Sequence, residues 1–394
     1  MKNYVKRLKN DIRRSLNSMY WAFNSNQYPL IQSSDYLTIK NVIKKSSIEK
    51  VHFAEIYGLS KEYEIEAVSP PLNIYEFNNA SIFQKSDVVL LKDAVYWDKR
   101  FNPLFCKTIP LDKNLVKYDQ KSITIKSYKK KIRINGKCVS LLGVFCDVWS
   151  HFLLQYLAKL YFYDKLGILD DEITVIIPKY NDYQLKCVVR DFLKEKNIKI
   201  IEAEENTQYL CEKLYYIPSA ICFPNHLNYF LPQDCVYSNE VRCAIKNILI
   251  DGYSNVNKSD DKFKKIYLAR RGTYRCLENW NEVEHYFKMQ GFEVVEPHLL
   301  TLEEKISIFK SAEVIVGPYS SAFTNILWCS PKTKVLMLSN FPRTLEATFC
   351  ELGAIAKVCI LYVTGVDKEN NNPHTSYYID LEKVKEAYKY LCDK

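Results

Sequence analysis

Glycine is scarce in this chain, with ten in 394 residues, and none falls in a G-x-G-x-x-G or Walker-type phosphate loop. The thirteen cysteines include no C-x-x-C pair, which argues against a zinc knuckle. A chain of this length does not need disulfide staples, so the thiols are read as free, mostly buried, and kept in a reducing compartment. No stretch approaches the ~20 apolar residues of a membrane-spanning helix. The start, MKNYVKRLKNDIRRSLNSMYWAF, lacks the uninterrupted apolar core of a secretory signal. RNP, finger and basic-region patterns are also missing, so no nucleic acid is expected as a partner. His52, His226, His285, His298 and His374 show no paired spacing, so no metal site is assigned.

What is present is a soluble balance, 47% hydrophobic and 26% charged, with a net charge of +9. That charge suits an anionic substrate or an anionic membrane surface. The length favours two domains. Residues 2–24 have Val5, Leu8, Ile12, Leu16, Met19, Tyr20 and Phe23 at helical spacing, with Lys2, Lys6, Arg7, Lys9, Arg13 and Arg14 on much of the remainder. Such a helix either packs on its own domain or lies on an anionic membrane as a peripheral contact.

From about 50 to 140 the pattern is β-rich. KSDVVLLKDAVYW alternates, and KSITIKSYKKKIRINGK reads as a hairpin whose Lys129–Lys131 run forms a solvated edge. Residues 141–225 turn to α/β. WSHFLLQYLAKLYFYDK carries an apolar stripe at Trp149, Phe152, Leu153, Tyr156, Leu157 and Leu160. EITVIIP, NIKIIEA and KLYYIPS read as strands of half a doubly wound sheet. A connector over 226–263 holds the boundary, which divides the chain into residues 1–250 and 251–394. The second domain is predicted to have strands at 264–269, 291–295, 313–317, 334–338 and 356–361. Its predicted helices are 279–290, 302–311, 320–328, 343–353 and 380–392, an order that implies a parallel sheet with crossover helices.

Two strand ends in this second domain carry groups suited to anions. Arg270, Arg271 and Arg275 follow the first strand, and guanidinium forks match phosphate oxygens. The alternative is a surface cluster paired with Glu278 and Glu282. The turn GPYSSAFTN follows the strand EVIV. There Gly317 permits an unusual backbone angle, and Tyr319, Ser320 and Ser321 lead into a helix start with Asn325 one turn further on. The alternative is ordinary serine capping. Both ends belong to one rim, because ligands of open α/β sheets bind at the carboxyl ends of the strands.

The order YLARRGTYRCLEN, then GFEVVEPHLLTLEEKISIFKSAEVIVGPYSSAFTNILW, resembles glycosyltransferase family 61. Arg270, Arg275, Asn279 (or Asn281 in a competing register), Gly291, Phe292, Phe309, Ala312, Gly317, Ala322 and Asn325 fit that family's pattern. Its His-Gly pair is replaced in the Tyr319-Ser320-Ser321 region, in the manner of the bacterial and viral polysaccharide-type members. Met337 stands where many members carry Glu. Upstream, SLLGVFCDVWSHFLLQYLAKL is similar to a second family segment, with His151 on the family histidine and Lys159 on its basic position. The likeness runs through roughly residues 85–390.

The resemblance implies an α/β fold of GT-B-like type, two Rossmann-like domains facing a cleft, with an extra β-rich N-terminal portion and a last helix that packs back on the first domain. It implies an inverting, metal-independent hexosyl- or pentosyltransferase that takes a nucleotide-diphosphate sugar, with a UDP-sugar expected, to a hydroxyl of a glycan acceptor in surface polysaccharide or glycoprotein synthesis. A non-catalytic nucleotide- or carbohydrate-binding protein of the same fold is the alternative. Arg270, Arg271, Arg275, Gly317, Tyr319, Ser320, Ser321 and Asn325 would hold the donor. His151 or Asp147 would deprotonate the acceptor. A cytoplasmic location, peripheral to the inner face of a membrane, is expected.

Overall fold

The structure, a computed structural model, describes residues 20–21, 24–31, 38–43, 45–98, 112–119, 121–170, 172–180, 183–221, 236–272, 275–340, 347–367 and 375–394. The basic helix expected over 2–24 lies outside these residues except for Tyr20, Trp21 and Asn24. Residues 226–235 of the connector lie outside them as well.

The rhythm read over 264–393 is what forms. Strands Lys265–Leu268, Glu293–Val295, Val314–Pro318, Lys334–Asn340 and Cys359–Asp367 alternate with helices Trp280–Met289, Leu302–Ser311, Ser321–Trp328, Thr348–Ala356 and Leu381–Asp393. The five strands pair parallel. Numbered by appearance, their spatial order is 2-1-3-4-5. Winding therefore reverses between the first strand, Lys265–Leu268, and the third, Val314–Pro318. A crevice opens beyond the carboxyl ends of strands at such a switch point.

Helix starts are set locally. Thr301 and Glu304 form a reciprocal capping box at Leu302–Ser311. Gly291, at φ +78°, ends the helix before it in a conformation that favours glycine. The segment Ser321–Trp328 is a 3₁₀ helix rather than the α-helix the spacing suggests.

The first sheet has eleven strands, the largest antiparallel part coming from residues 25–126. At its other end Lys130–Ser140, Thr174–Pro178, Lys199–Ala203 and Thr207–Tyr216 pair parallel, which is the half doubly wound sheet expected. The hairpin over 121–137 does not form. Ser122–Lys126 pairs with Ser25–Ile31 and Leu115–Tyr118, while Lys130–Ser140 pairs with Thr207–Tyr216 and Thr174–Pro178. Alternation marks a strand but not its partner.

Residues 47–69 leave the first sheet. Ser47–Phe53 and Tyr63–Ser69 form a separate hairpin, and Glu55–Ile56 adds a parallel strand beside Leu361–Tyr362 of the second sheet. Arg242 ties this hairpin down, with Nη1 2.8 Å from Glu49 Oε2 and Nη2 2.9 Å from Glu351 Oε2. The last helix lies on the second sheet, where Val384, Ala387 and Leu391 join the core of Leu336, Leu338 and Leu361, and it also meets residues of the N-terminal portion, with the Tyr390 hydroxyl 3.0 Å from Glu55 Oε1 and Tyr57 3.4 Å from Glu386. The whole is an α/β fold with a large β-rich N-terminal sheet and a mixed α/β region, consistent with GT-B-like architecture. Among the described residues no helix is long and apolar enough to cross a membrane.

Candidate functional site

The switch point is closed at its base by one strong contact. Arg270, just past the strand Lys265–Leu268, donates from Nη1 to the Tyr319 carbonyl at 2.8 Å. This joins the two strand ends whose separation makes the crevice. Gly317 makes the approach possible. A Cβ there would lie 2.7 Å from the Leu268 carbonyl oxygen and 2.9 Å from Leu268 Cβ. Its φ is not positive, so the glycine serves close strand contact rather than the unusual backbone angle its sequence context suggested.

The crevice widens into a cavity of about 520 Å³. Its walls come from both sheets' elements: Trp149, Ser150 and His151 on one side, and Arg270, Arg271, Arg275, Lys305, Tyr319, Ser320, Ser321 and Asn325 on the other. Residues at least 119 positions apart in the sequence, the separation of His151 and Arg270, thus face one cavity. Four cations and a single carboxylate, Glu296, line it, so the cavity favours an anion.

The cations differ in availability. Arg271 lies between Glu284, 3.0 Å from its Nη2, and Glu296, which bonds its Nη1. It also stacks 5.5 Å above the Trp280 ring. The carboxylates that meet it are therefore not Glu278 and Glu282. Arg275 is half-buried and sits at φ +52°, a left-handed conformation uncommon for a side chain of this size. Such strain persists where surrounding structure enforces it, and it clusters at ligand clamps.

Ser320 stands at the N-cap of Ser321–Trp328 with extended backbone and no side-chain cap bond. The structural alternative, ordinary serine capping, is thus not what its hydroxyl does. Together with the exposed Ser321 at the helix start, it lines the cavity as a donor set for an anion.

His151 ends the short turn Trp149–His151 and is followed by a π-helical turn, Phe152–Tyr156. Turns of this kind recur at functional sites because they re-aim side chains within a helix. His151 Nδ1 lies 2.8 Å from Gln155 Oε1. The Gln155 amide nitrogen donates to Ser219 Oγ at 3.3 Å, which leaves its oxygen for the imidazole. Nδ1–H then donates to that oxygen, and in the neutral form of the ring the lone pair is on Nε2. Asp147 does not line the cavity. It is ion-paired with Lys85 at 2.8 Å.

Two participants, Trp149 and Lys305, escaped the sequence reading. Trp149 donates from its indole N–H to Asn325 Oδ1 at 2.9 Å. Lys305, only 2% exposed, holds its ammonium 3.7 Å from the centre of the Trp149 ring. In so dry a setting a cation–π contact contributes roughly 2 kcal/mol. The remaining amide donors of Asn325, itself 1% exposed, have no acceptor among the described residues. A signal for Lys305 was available: it shares a helical face with Leu302, Ile306 and Phe309, where a lysine is out of place. Lys159, which the resemblance singled out, is fully buried between the rings of Tyr156 and Tyr216, away from the cavity. Glu296 and His298 complete the rim.

Among the described residues no group of three or more His, Cys, Asp and Glu side chains is placed to hold a metal ion.

Residues 149–336 match the family model of Glycosyltransferase 61. The matched span begins at the cavity's Trp149 and ends within the strand Lys334–Asn340. The match supports glycosyl transfer as the general activity. No curated protein matches the chain.

Proposed function

We propose that the cavity is the active site of an inverting glycosyltransferase that moves a sugar from a nucleotide-diphosphate donor, a UDP-sugar first among candidates, to a hydroxyl of a glycan acceptor. The observation that carries this reading is the convergence of a histidine with a wall rich in cationic side chains. His151 faces Arg270, Arg275, Lys305 and the Ser320–Ser321 helix start across one cavity of about 520 Å³. The guanidinium groups and helix-start donors bind the diphosphate and stabilise the charge that develops on it as the glycosidic bond breaks. Tyr319 supplies the carbonyl that fixes Arg270, and Gly317 lets its strand approach. Arg271, held by Glu284 and Glu296, shapes the wall rather than meeting phosphate.

His151 Nε2 takes the proton of the acceptor hydroxyl as its oxygen attacks the anomeric carbon, and the diphosphate leaves from the opposite face. Displacement in one step inverts the anomeric centre. The cations already present in the wall supply the leaving-group stabilisation that a metal gives elsewhere, which supports a metal-independent reaction. Asp147, engaged by Lys85, is a poorer base than His151 on position alone. The acceptor enters on the first-sheet side, the donor on the second-sheet side, and the natural division of the chain falls near residue 250. A cytoplasmic enzyme acting at the membrane's inner face in surface-glycan synthesis fits the net charge of +9.

The test is product detection with a panel of UDP-, GDP-, CMP- and dTDP-sugars, beside thermal shift, since a ligand that binds only the folded state raises its apparent stability. His151→Ala should lower turnover by about 10²–10⁴-fold while leaving the donor's thermal shift in place. Retained turnover in that variant would assign the base elsewhere.

A further inference from the structure

A second cavity, of about 570 Å³, is lined by residues of the first sheet and its loops. It takes no part in the chemistry above. Its wall combines the aromatic side chains of Trp21 and Tyr128 with the ammonium groups of Lys113, Lys126 and Lys129. Trp21 and Tyr128 meet edge to face with ring centres 5.5 Å apart, and Tyr128 is anchored by its hydroxyl to Asn114 Oδ1 at 2.9 Å. Lys126 sits 5.2 Å from the Trp21 ring centre and donates to the Lys113 carbonyl. Burial pulls its ammonium below the ordinary lysine range, with the neighbouring charge of Lys113 adding to the effect and Asp112 opposing it.

The charge here is not cancelled. Lys85 is matched by Asp147 and Glu205, and Lys130 by Glu204. Lys113, Lys126 and Lys129 make no ion pair among the described residues. Three like charges around one hollow repel each other, and an anion between them relieves that repulsion. Half-buried Trp21, backed by the buried Tyr128, offers beside them an aromatic surface of the size of a pyranose C–H face. Dispersion against such a surface, with charge-assisted bonds at the edge, is the chemistry that recognises a sugar ring carrying an anionic group. Among the described residues no membrane-length apolar helix accompanies the lysines.

The cavity is also wired to the candidate active site. Lys85 lines it and at the same time grips Asp147 at 2.8 Å, four residues ahead of His151. A molecule seated in the second cavity therefore meets a lysine that is ion-paired to the loop ahead of His151.

We propose that this cavity is a subsite for an acidic glycan, one whose sugar units carry carboxylate or phosphate. Naming the bound glycan an acceptor rests on the glycosyl-transfer reading; the binding itself does not. Contacts made there, remote from the reacting hydroxyl, would hold the acceptor in place for transfer.

The experiment uses the full chain and titrates tetragalacturonate and, in parallel, the neutral maltotetraose, following tryptophan fluorescence and calorimetry. The expected result is binding of the acidic oligosaccharide alone, weakened by salt, with affinity lowered roughly tenfold or more in Lys113→Gln/Lys129→Gln. Both lysines are exposed, so the double variant should fold, and its thermal shift with nucleotide sugar should match the wild type. Trp21→Leu should weaken binding without changing its salt dependence. Equal binding of the neutral oligosaccharide, no binding of the acidic one, or an unaffected double variant would overturn the proposal. So would capture by phosphatidylserine vesicles through the same lysines with no oligosaccharide binding. Loss of the nucleotide-sugar shift in the wild type, with tetragalacturonate binding intact, would instead count against the transferase reading alone.

Discussion

Single side chains decide what the candidate site can do. Lys305 is the sharpest case, because a buried ammonium on an apolar helix face needs a reason to be there. Its contact with Trp149 links the helix Leu302–Ser311 to the turn that carries His151. Lys305→Met keeps the volume and removes the charge. The expected outcome is a rise of about tenfold or more in the donor Kd, measured by calorimetry, with thermal stability close to wild type. Gly317 gives a complementary test. Gly317→Ala sets a methyl 2.7 Å from the Leu268 carbonyl oxygen, so the two switch-point strands must separate. Overpacking of this kind costs about 1–3 kcal/mol, read as a lower urea midpoint. Donor affinity should fall with it, since Arg270 spans the same two strands.

Elements show where sequence reasoning reaches and where it stops. Strands and helices of 265–393 were legible because each is short, strongly periodic and followed by its spatial neighbour, as the strand Lys265–Leu268 and helix Trp280–Met289 illustrate. The apolar stripe from Trp149 to Leu160 was legible too, but the π-helical turn inside it was not, since one extra residue in a turn leaves the composition unchanged. Of the candidate site, the arginines and the serine turn stood out as anion-binding groups, and their meeting with His151 depended on the resemblance. Lys305 and Trp149 were missed because each reads as part of a helix face. Pairing across long separations left no trace, as the broken 121–137 hairpin and the wandering segment 47–69 show. That segment is held by Arg242. Glu351 is fully buried and also accepts from the His52 backbone N–H at 2.6 Å. Arg242→Met would leave two carboxylates, Glu49 and Glu351, without their cation. The expected loss is roughly 3–5 kcal/mol of unfolding free energy by urea denaturation, whereas Arg242→Lys should recover part of it.

For the molecule as a whole, the two sheets are coupled through a strand that belongs by sequence to one and by pairing to the other. Glu55, in the two-residue strand beside Leu361–Tyr362, is 5% exposed and sits under Lys394, Lys61 and the Tyr390 hydroxyl. Burial by itself would raise its carboxyl, but the hydrogen bonds from Lys394, Lys61 and Tyr390 outweigh that and hold it at about 2, against an ordinary 4.5. A folded-state value below the unfolded one means that the unfolded chain binds the proton more readily. The contribution to stability is therefore complete above about pH 4.5 and is lost as pH falls toward 2. Asp112 works in the opposite sense. Burial pushes its carboxyl up to about 6 despite bonds from Ser86 and Asn114, so its share of stability is gained as pH falls through 6. Glu55→Gln should lower the urea midpoint at pH 7, and the gap from wild type should close between pH 4.5 and 2. Asp112→Asn should flatten the dependence between pH 6 and 4 and leave the acid limb alone. Because Glu55 anchors the chain's last residue as well as the crossing strand, the acid loss in the wild type should appear first as exposure of the helix Leu381–Asp393 in hydrogen exchange, ahead of the parallel strands Lys265–Leu268 and Val314–Pro318 that floor the donor crevice.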